Sequence, residues 1–216
     1  MKSLILSVSL ALSAPLLAVA PLAAQAQQAA ATPGQQVIAT GNRILSTLEQ
    51  RRAEFRKDPA ALRGFIDTEL NGSFDSEYAA RMVLGVHGRG ASDADVKLFA
   101  DALIDNLLQR YGSALLDFEG KPRMRLKGET PLPRNLGVKV TTELLRSNGA
   151  PVPVVYLMRN NGGWKIFDVE IEGISYVQTF KNQFDTPLRQ KSIAQVAADL
   201  RNGSARPASG NGDGGR

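Results

Sequence analysis

The hydrophobic period of this chain changes twice, and that alternation constrains the fold more than any other feature. From Val37 to Leu107 apolar residues recur at the spacing of one helical face. Between Arg123 and Ile171 they alternate with charged and polar residues, the two-residue period of strands with one buried face. From Val177 to Leu200 the helical spacing returns. Helices, then sequential strands, then helices is an α+β order, and it predicts helices packed on a roughly four-stranded antiparallel sheet.

The punctuation agrees with the period. Thr32-Pro33 reads as an N-cap followed by proline at the first helical position, opening a helix through Val37, Ile38, Ile44, Leu45 and Leu48. Asp58-Pro59 repeats the device for a helix carrying Leu62, Phe65, Ile66 and Leu70, closed by Asn71-Gly72. A third helix is predicted over 76–84, ended by Gly85. Ser92 and Asp95 resemble a capping box for a long helix with Val96, Phe99, Leu103, Leu107 and Tyr111 on one face. Strands follow at Met124 and Leu126, at Val138 to Leu144, at 152–159 and at 164–171, with a hairpin turn over 160–163. Ser175 and Gln178 form another capping box, before Val177, Phe180 and Phe184. Thr186-Pro187 is expected to start the last helix, through Leu188, Ile193, Val196 and Leu200.

The ends differ from the middle. Met1-Lys2, an apolar run over 4–20 and the small-x-small pattern Ala24-Gln25-Ala26 predict a cleaved secretory signal peptide at residues 1–26. The run is short, contains Pro15 and lacks a basic stop-transfer flank, so a retained anchor is the weaker reading. Residues 27–200 are then the folded domain, exported and, in a Gram-negative cell, periplasmic. Residues 201–216 are rich in Gly, Ser, Asn and charge with little to bury, which predicts a disordered tail.

Composition removes most reaction chemistry. The 216 residues contain no cysteine and one histidine, His87, which excludes disulfides, thiolate metal sites and cysteine nucleophiles. His87 lies in a glycine-rich stretch, Gly85-x-x-Gly88-x-Gly90, that follows a helix and lacks the Gly-Lys-Ser/Thr ending of a phosphate loop. A turn between helices is the reading, and no carboxylate partner for His87 is assignable. Asp168, Glu170 and Glu172 alternate at the last strand, either as an acid/base or metal cluster or as a solvated face. Arg123, Arg125 and Lys127 make a basic strand row without the interleaved aromatics of a nucleic-acid platform. The net charge of +5 is spread along the chain and implies no nucleic acid. No metal, no catalytic residue and no cofactor is expected.

The segment Gly-Gly-Trp-Lys-Ile-Phe-Asp-Val-Glu-Ile-Glu-Gly-Ile-Ser-Tyr-Val over 162–177, followed by Phe180-Lys181-Asn182-Gln183-Phe184, resembles the signature of the MlaC family, also called toluene-tolerance auxiliary proteins. Ala80-Arg81-Met82-Val83-Leu84-Gly85 and the helix from Leu98-Phe99 to Tyr111 are similar to its upstream elements. Val86-His87-Gly88 departs from it, since relatives often carry a bulky aromatic there. The resemblance spans roughly residues 35 to 200. It implies a curved sheet and helices enclosing an apolar pocket, a cone-like arrangement of the cystatin/NTF2 type. It also implies a monomeric, non-enzymatic periplasmic carrier with bound phospholipid as cargo. Its implied partners are an outer-membrane lipoprotein–porin complex and an inner-membrane ABC transporter with a lipid-binding ring, and its implied role is outer-membrane lipid asymmetry.

Alternation assigns pocket residues within such a fold. Val154, Tyr156 and Met158 face inward, opposite Arg159; Val138, Val140 and Leu144 oppose Lys139 and Glu143; Met124 and Leu126 oppose the basic row; Trp164 and Ile166 complete the face. Helical candidates are Val83, Phe99, Leu103, Leu107, Phe180 and Phe184. For each of these a plain core position is the competing reading. Two other functions remain open at this point: an enzyme or binding domain for a small apolar ligand, with Asp168 as acid or base inside the cone, and an adaptor with a filled core.

Overall fold

Short polar side chains fix every α-helix start but the one at Arg52, and those at Thr32, Asp58, Ser92 and Ser175 stand where the sequence predicts them. The computed structural model describes residues 31–117 and 120–204; the expected signal peptide, and the expected tail beyond Ser204, lie outside them. Helix α1 (Pro33–Gln50) begins with a reciprocal capping box between Thr32 and Gln35. After α2 (Arg52–Lys57), the Asp58 carboxylate accepts the amides of Ala60 and Ala61 to start α3 (Pro59–Ser73). Asp75, Ser92, Ser175 and Ser192 cap α4 (Ser76–Leu84), α5 (Asp93–Tyr111), α6 (Tyr176–Gln190) and α7 (Ile193–Arg201). Among the described residues no helix is long and apolar enough to cross a membrane.

One helical expectation is corrected. Pro187 does not open the last helix; it lies inside α6, which continues to Gln190. Phe184 and Leu188, four residues apart and both buried, keep that turn packed on the helical core, and burial prevails over the missing proline amide. The last helix starts instead at the box of Ser192 and Gln195. The first helix carries its expected apolar row through Leu48 to Gln50. It breaks at Arg51, and α2 turns Phe55 into a core with Leu48, Leu62, Ile66 and Leu116. Arg201, where the tail was expected to begin, is the last residue of α7 and pairs with Asp105 at 3.8 Å.

The sheet is an open antiparallel meander in chain order: β1 (Arg123–Pro131), β2 (Val138–Leu145), β3 (Val152–Asn160), β4 (Trp164–Ile171) and β5 (Ile174–Ser175). The fifth strand has only two residues and extends the expected four. One bulge interrupts β1, between Leu126 and Gly128, and another interrupts the β3–β4 ladder at Phe167. The helices α4, α5, α6 and α7 share one core, in which the rings of Phe99 and Phe184 meet edge to face at 5.5 Å. A parallel bridge between Phe74 and Ile166, with the Asp75 amide donating to the Ile166 carbonyl at 2.7 Å, fastens the start of α4 to β4.

Asp168 makes the other fastening. It is 5% exposed, and its Oδ1 accepts the amides of Val169 (2.8 Å) and Val177 (3.0 Å) while Oδ2 accepts the Ser175 hydroxyl (2.6 Å). A buried carboxylate satisfied by three donors at a helix N-terminus is a structural tie between β4 and α6. The alternating carboxylates therefore do not form a cluster. Glu170 pairs with Lys139 at 3.5 Å, and Glu172 sits in the turn after β4 with φ 53°. Among the described residues no group of three potential metal ligands comes together. We expect Asp168→Ala to strand two amides and cost on the order of 2 kcal/mol, lowering Tm by several degrees in a thermal melt. An unchanged Tm would return Asp168 to the reactive-group reading.

Candidate functional site

Strand pairing places the sequence candidates on a common surface. Met124 lies opposite Leu144, and Leu126 opposite Thr142, between β1 and β2. Val138, Val140, Thr142 and Leu144 lie opposite Met158, Tyr156, Val154 and Val152 between β2 and β3. Met158 in turn lies opposite Ile166, and Asn160 opposite Trp164. Because paired residues of an antiparallel ladder share a face, all ten strand candidates point to one side of the sheet. The bulge at Phe167 then changes the phase of β4. Val169 and Ile171, paired with Tyr156 and Val154, carry the apolar face onward, and Asp168 turns to the other side with Leu157. Simple alternation had grouped Asp168 with Trp164 and Ile166, and nothing in the local sequence marks the bulge that separates them.

Helix α1 covers this face. Val37, 3% exposed, forms a cluster with Val140 and Met158, both 0% exposed; Met124, Val138, Tyr156, Trp164 and Ile166 pack around them. Close approach requires the small residue at Gly41, where a methyl group would overlap the Met124 sulfur. Four hydrogen bonds pin the helix down. The Glu129 carboxylate accepts from the Thr32 hydroxyl (2.8 Å) and the Gly34 amide (3.1 Å), the Gln36 amide group donates to the Trp164 carbonyl (2.8 Å), and the Met124 amide donates to Asn42 Oδ1 (2.9 Å). Of the other strand candidates, Val154 is buried, Leu144 is half-buried and Leu126 is exposed.

The helical candidates stand elsewhere. Val83, Phe99, Leu103, Phe180 and Phe184 lie within the core shared by α4 to α7, each no more than 8% exposed, and Leu107 packs against it. They contact one another across helices and do not join the cluster on the sheet. His87 has a carboxylate partner that the sequence did not reveal, because 98 residues separate the two: its Nε2 lies 2.9 Å from Asp185 Oδ1. That hydrogen bond, with Arg189 second, holds the Asp185 carboxyl below its ordinary pKa. The pair links the 3-10 turn Gly85–Gly88 to α6, which is the helix-to-helix turn expected of this glycine-rich stretch.

A cleft of about 300 Å³ opens at one end of the sheet, lined by Tyr78, Asn135, Leu136, Gly137, Arg159, Asn160 and Trp164. It joins α4 to the β1–β2 and β3–β4 connections. Sequence reading found only Trp164 among its residues.

Tyr156 is a titratable group inside the apolar face, whereas Glu129 stands at its margin. Among the described residues the Tyr156 hydroxyl reaches only the Met124 sulfur, at 3.9 Å, and burial pushes its pKa up from 10.0 to about 12. A phenol whose pKa is raised on folding lends stability that is complete below the unfolded value and is lost as pH rises through the folded one. Wild-type protein is therefore expected to lose more stability than Tyr156→Phe between pH 10 and 12, in denaturant melts paired with phenolate absorbance. Parallel curves for the two proteins would place Tyr156 in contact with water.

With this geometry in place, the comparisons with known proteins fall on the same elements. The MlaC protein family profile matches residues 39–202, from α1 to the end of α7. The chain is 30% identical over 160 residues to the toluene tolerance protein ttg2D of Pseudomonas putida, spanning 72% of this chain and 73% of that protein. Its fold is shared with a phospholipid-binding protein from Ralstonia solanacearum, solved in complex with a phospholipid. The TM-score is 0.70 at 20% identity, over 81% of this chain and 99% of the other. The resemblance first carried by the segment from Gly162 to Phe184 thus extends through the helices and strands on both sides of it, and the chain belongs to the MlaC family.

Proposed function

We propose that this protein is a periplasmic phospholipid carrier that holds its cargo by the acyl chains against the apolar face of the sheet. The observation that carries the reading is the cluster of Val37, Val140 and Met158, where a continuous apolar strand surface is covered by a single helix held by few polar contacts. Acyl chains reach Val140 and Tyr156 when α1 lifts from the sheet, exchanging one apolar neighbour for another. The strand candidates from Met124 to Ile166 are the proposed chain contacts. Val83, Phe99, Leu103, Leu107, Phe180 and Phe184 hold the frame behind them.

Family membership supports the carrier role, and the phospholipid held by the Ralstonia solanacearum fold relative supports the cargo. The role is binding and transport; the protein is not an enzyme. Handover between an outer-membrane lipoprotein–porin complex and an inner-membrane ABC transporter with a lipid-binding ring, in the service of lipid asymmetry, is the family's implied task and part of this proposal. So are cleavage after residue 26 and a monomeric carrier.

Two measurements test it. Native mass spectrometry of the protein purified from periplasm is expected to find co-purified phospholipid, and an empty protein that takes none up from vesicles would sink the reading. Because the chain has no cysteine, the pair Gly41→Cys/Met124→Cys can lock α1 to β1 without side reactions. The oxidised variant is expected to stay folded and to exchange lipid at least about tenfold more slowly, with recovery on reduction. Exchange at the wild-type rate in the oxidised form would mean that lipid enters without moving α1.

A further inference from the structure

The cleft at the end of the sheet holds an arginine that is fixed in place without a hydrogen bond to any described residue. The Arg159 guanidinium lies 4.1 Å over the Tyr78 ring and its Nε is 3.6 Å from Asp75 Oδ2, with 30% of the side chain exposed. Among the described residues no group accepts a hydrogen bond from it. Asp75 spends its own oxygens elsewhere: Oδ1 accepts the Tyr78 amide at 3.2 Å to cap α4, and Oδ2 accepts from Asn161 at 3.1 Å. The carboxylate thus orients the guanidinium and leaves its planar fork of donors open. That fork matches the geometry of a phosphate oxyanion.

The surroundings suit an anion. Arg134 is exposed in the adjoining β1–β2 connection, and Lys165, across the ladder from Arg159, donates to the Gly72 carbonyl at the end of α3. Of these three cations, Arg159 alone is paired with a carboxylate, Asp75, among the described residues. The connection itself is held in an unusual shape. Arg134 and Asn135 take φ of 57° and 55°, and at Gly137 any side chain would run into the Met158 carbonyl. Non-glycine residues in this region are strained unless the surroundings hold them there, and here they place Asn135 and Leu136 on the rim of the cleft.

Trp164 makes the cleft more than a polar dent. It lines the cleft and also packs in the apolar cluster with Ile166, Met158 and Val140. Arg159 points to the other side of the sheet from Trp164, so a molecule with an anionic phosphate and apolar chains can place the first on Arg159 and pass the second round the end of the sheet at Trp164 onto its apolar face. Building on the carrier reading above, we propose that this cleft is the phosphate seat for the cargo, with Arg159 as the group that binds the phosphate oxygens and Tyr78 and Asp75 as its positioning residues.

The chain contains one tryptophan, so its fluorescence reports on Trp164 alone. Delipidated protein is titrated with dioctanoyl phosphatidylglycerol, with dioctanoylglycerol, which has the same chains and no phosphate, and with inorganic phosphate. The phosphatidylglycerol is expected to bind about tenfold more tightly than the diacylglycerol, the usual worth of a charge-assisted pair. Arg159→Gln is expected to remove that preference while leaving diacylglycerol affinity unchanged, and Arg159→Lys to retain part of it, with circular dichroism checking the fold of each. Equal affinity of the wild-type protein for the two lipids overturns the proposal even if Arg159→Gln fails to fold. So does a folded Arg159→Gln protein that keeps the preference. An Arg159-dependent response to inorganic phosphate, with no preference between the lipids, would reassign the cleft to a free anion and overturn the headgroup role. Binding of neither lipid would instead defeat the carrier reading on which the proposal stands.

Discussion

The packing of α1 across the apolar side of the sheet is the contact on which the rest of the structure depends. Strands β1 to β4 bring Met124, Val138, Val140, Tyr156, Met158, Trp164 and Ile166 to one surface, and an antiparallel sheet cannot leave such a surface in water. Gly41 lets the helix come close enough for Val37 to fill the middle, and Glu129, Gln36 and Asn42 fix its position with hydrogen bonds at the margin. The interface is therefore dry at its centre and weakly polar at its edge. Such an interface is stable against water yet can accept another apolar partner in place of the helix.

The remaining helices are held to the sheet by a few specific ties. Asp168 anchors the start of α6, the Phe74–Ile166 bridge anchors the start of α4, and Lys165 meets the carbonyl end of α3. All three ties lie on β4 or at its edge, leaving α1 to make the extended contact with β1 and β2. This division gives one half in which the core of α4 to α7 is tied to β4, and a covered apolar face that depends on one helix. Asp168 illustrates the consequence for function. A buried carboxylate in the middle of a fold invites a catalytic reading, but its three donors are the backbone and hydroxyl groups of a helix start, so its charge is already spent on architecture.

What was legible in the sequence was local. The caps at Thr32, Asp58, Ser92 and Ser175, the turn at 160–163 and the inward row of β2 each depend on residues within a few positions of one another, and each stands where the pattern placed it. Pro187 misled because its cost as a helix breaker is smaller than the burial of Phe184 and Leu188 on either side, a tertiary effect with no local mark. The bulge at Phe167 misled for the same reason, and it reversed the face on which Asp168 falls. The candidate site divided along this line. Candidates on adjacent strands share one face because register links them. The helical candidates shared their hydrophobicity and spacing, but only packing decides that Phe99 and Phe184 meet each other and not the sheet. The cleft around Arg159 was invisible, since Tyr78, Asn135 and Arg159 come from three separate parts of the chain.

Energetics give the proposed carrier its need for partners. Two acyl chains withdraw roughly 30 methylene groups from water, a gross gain on the order of 20 kcal/mol. Against this stand the cost of association and the loss of the contacts that α1 makes with the sheet. The part that survives sets the affinity, and even a modest remainder makes escape of free lipid into water slow. Release then depends on a second apolar path that meets the chains before they are wetted, together with the return of α1 to the face they leave. In the proposed carrier, the helix that covers the sheet competes with the cargo for the same surface. Strengthening its hold on the sheet would favour unloading and weaken uptake, and weakening it would do the reverse, so a carrier working in both steps is confined to an intermediate hold.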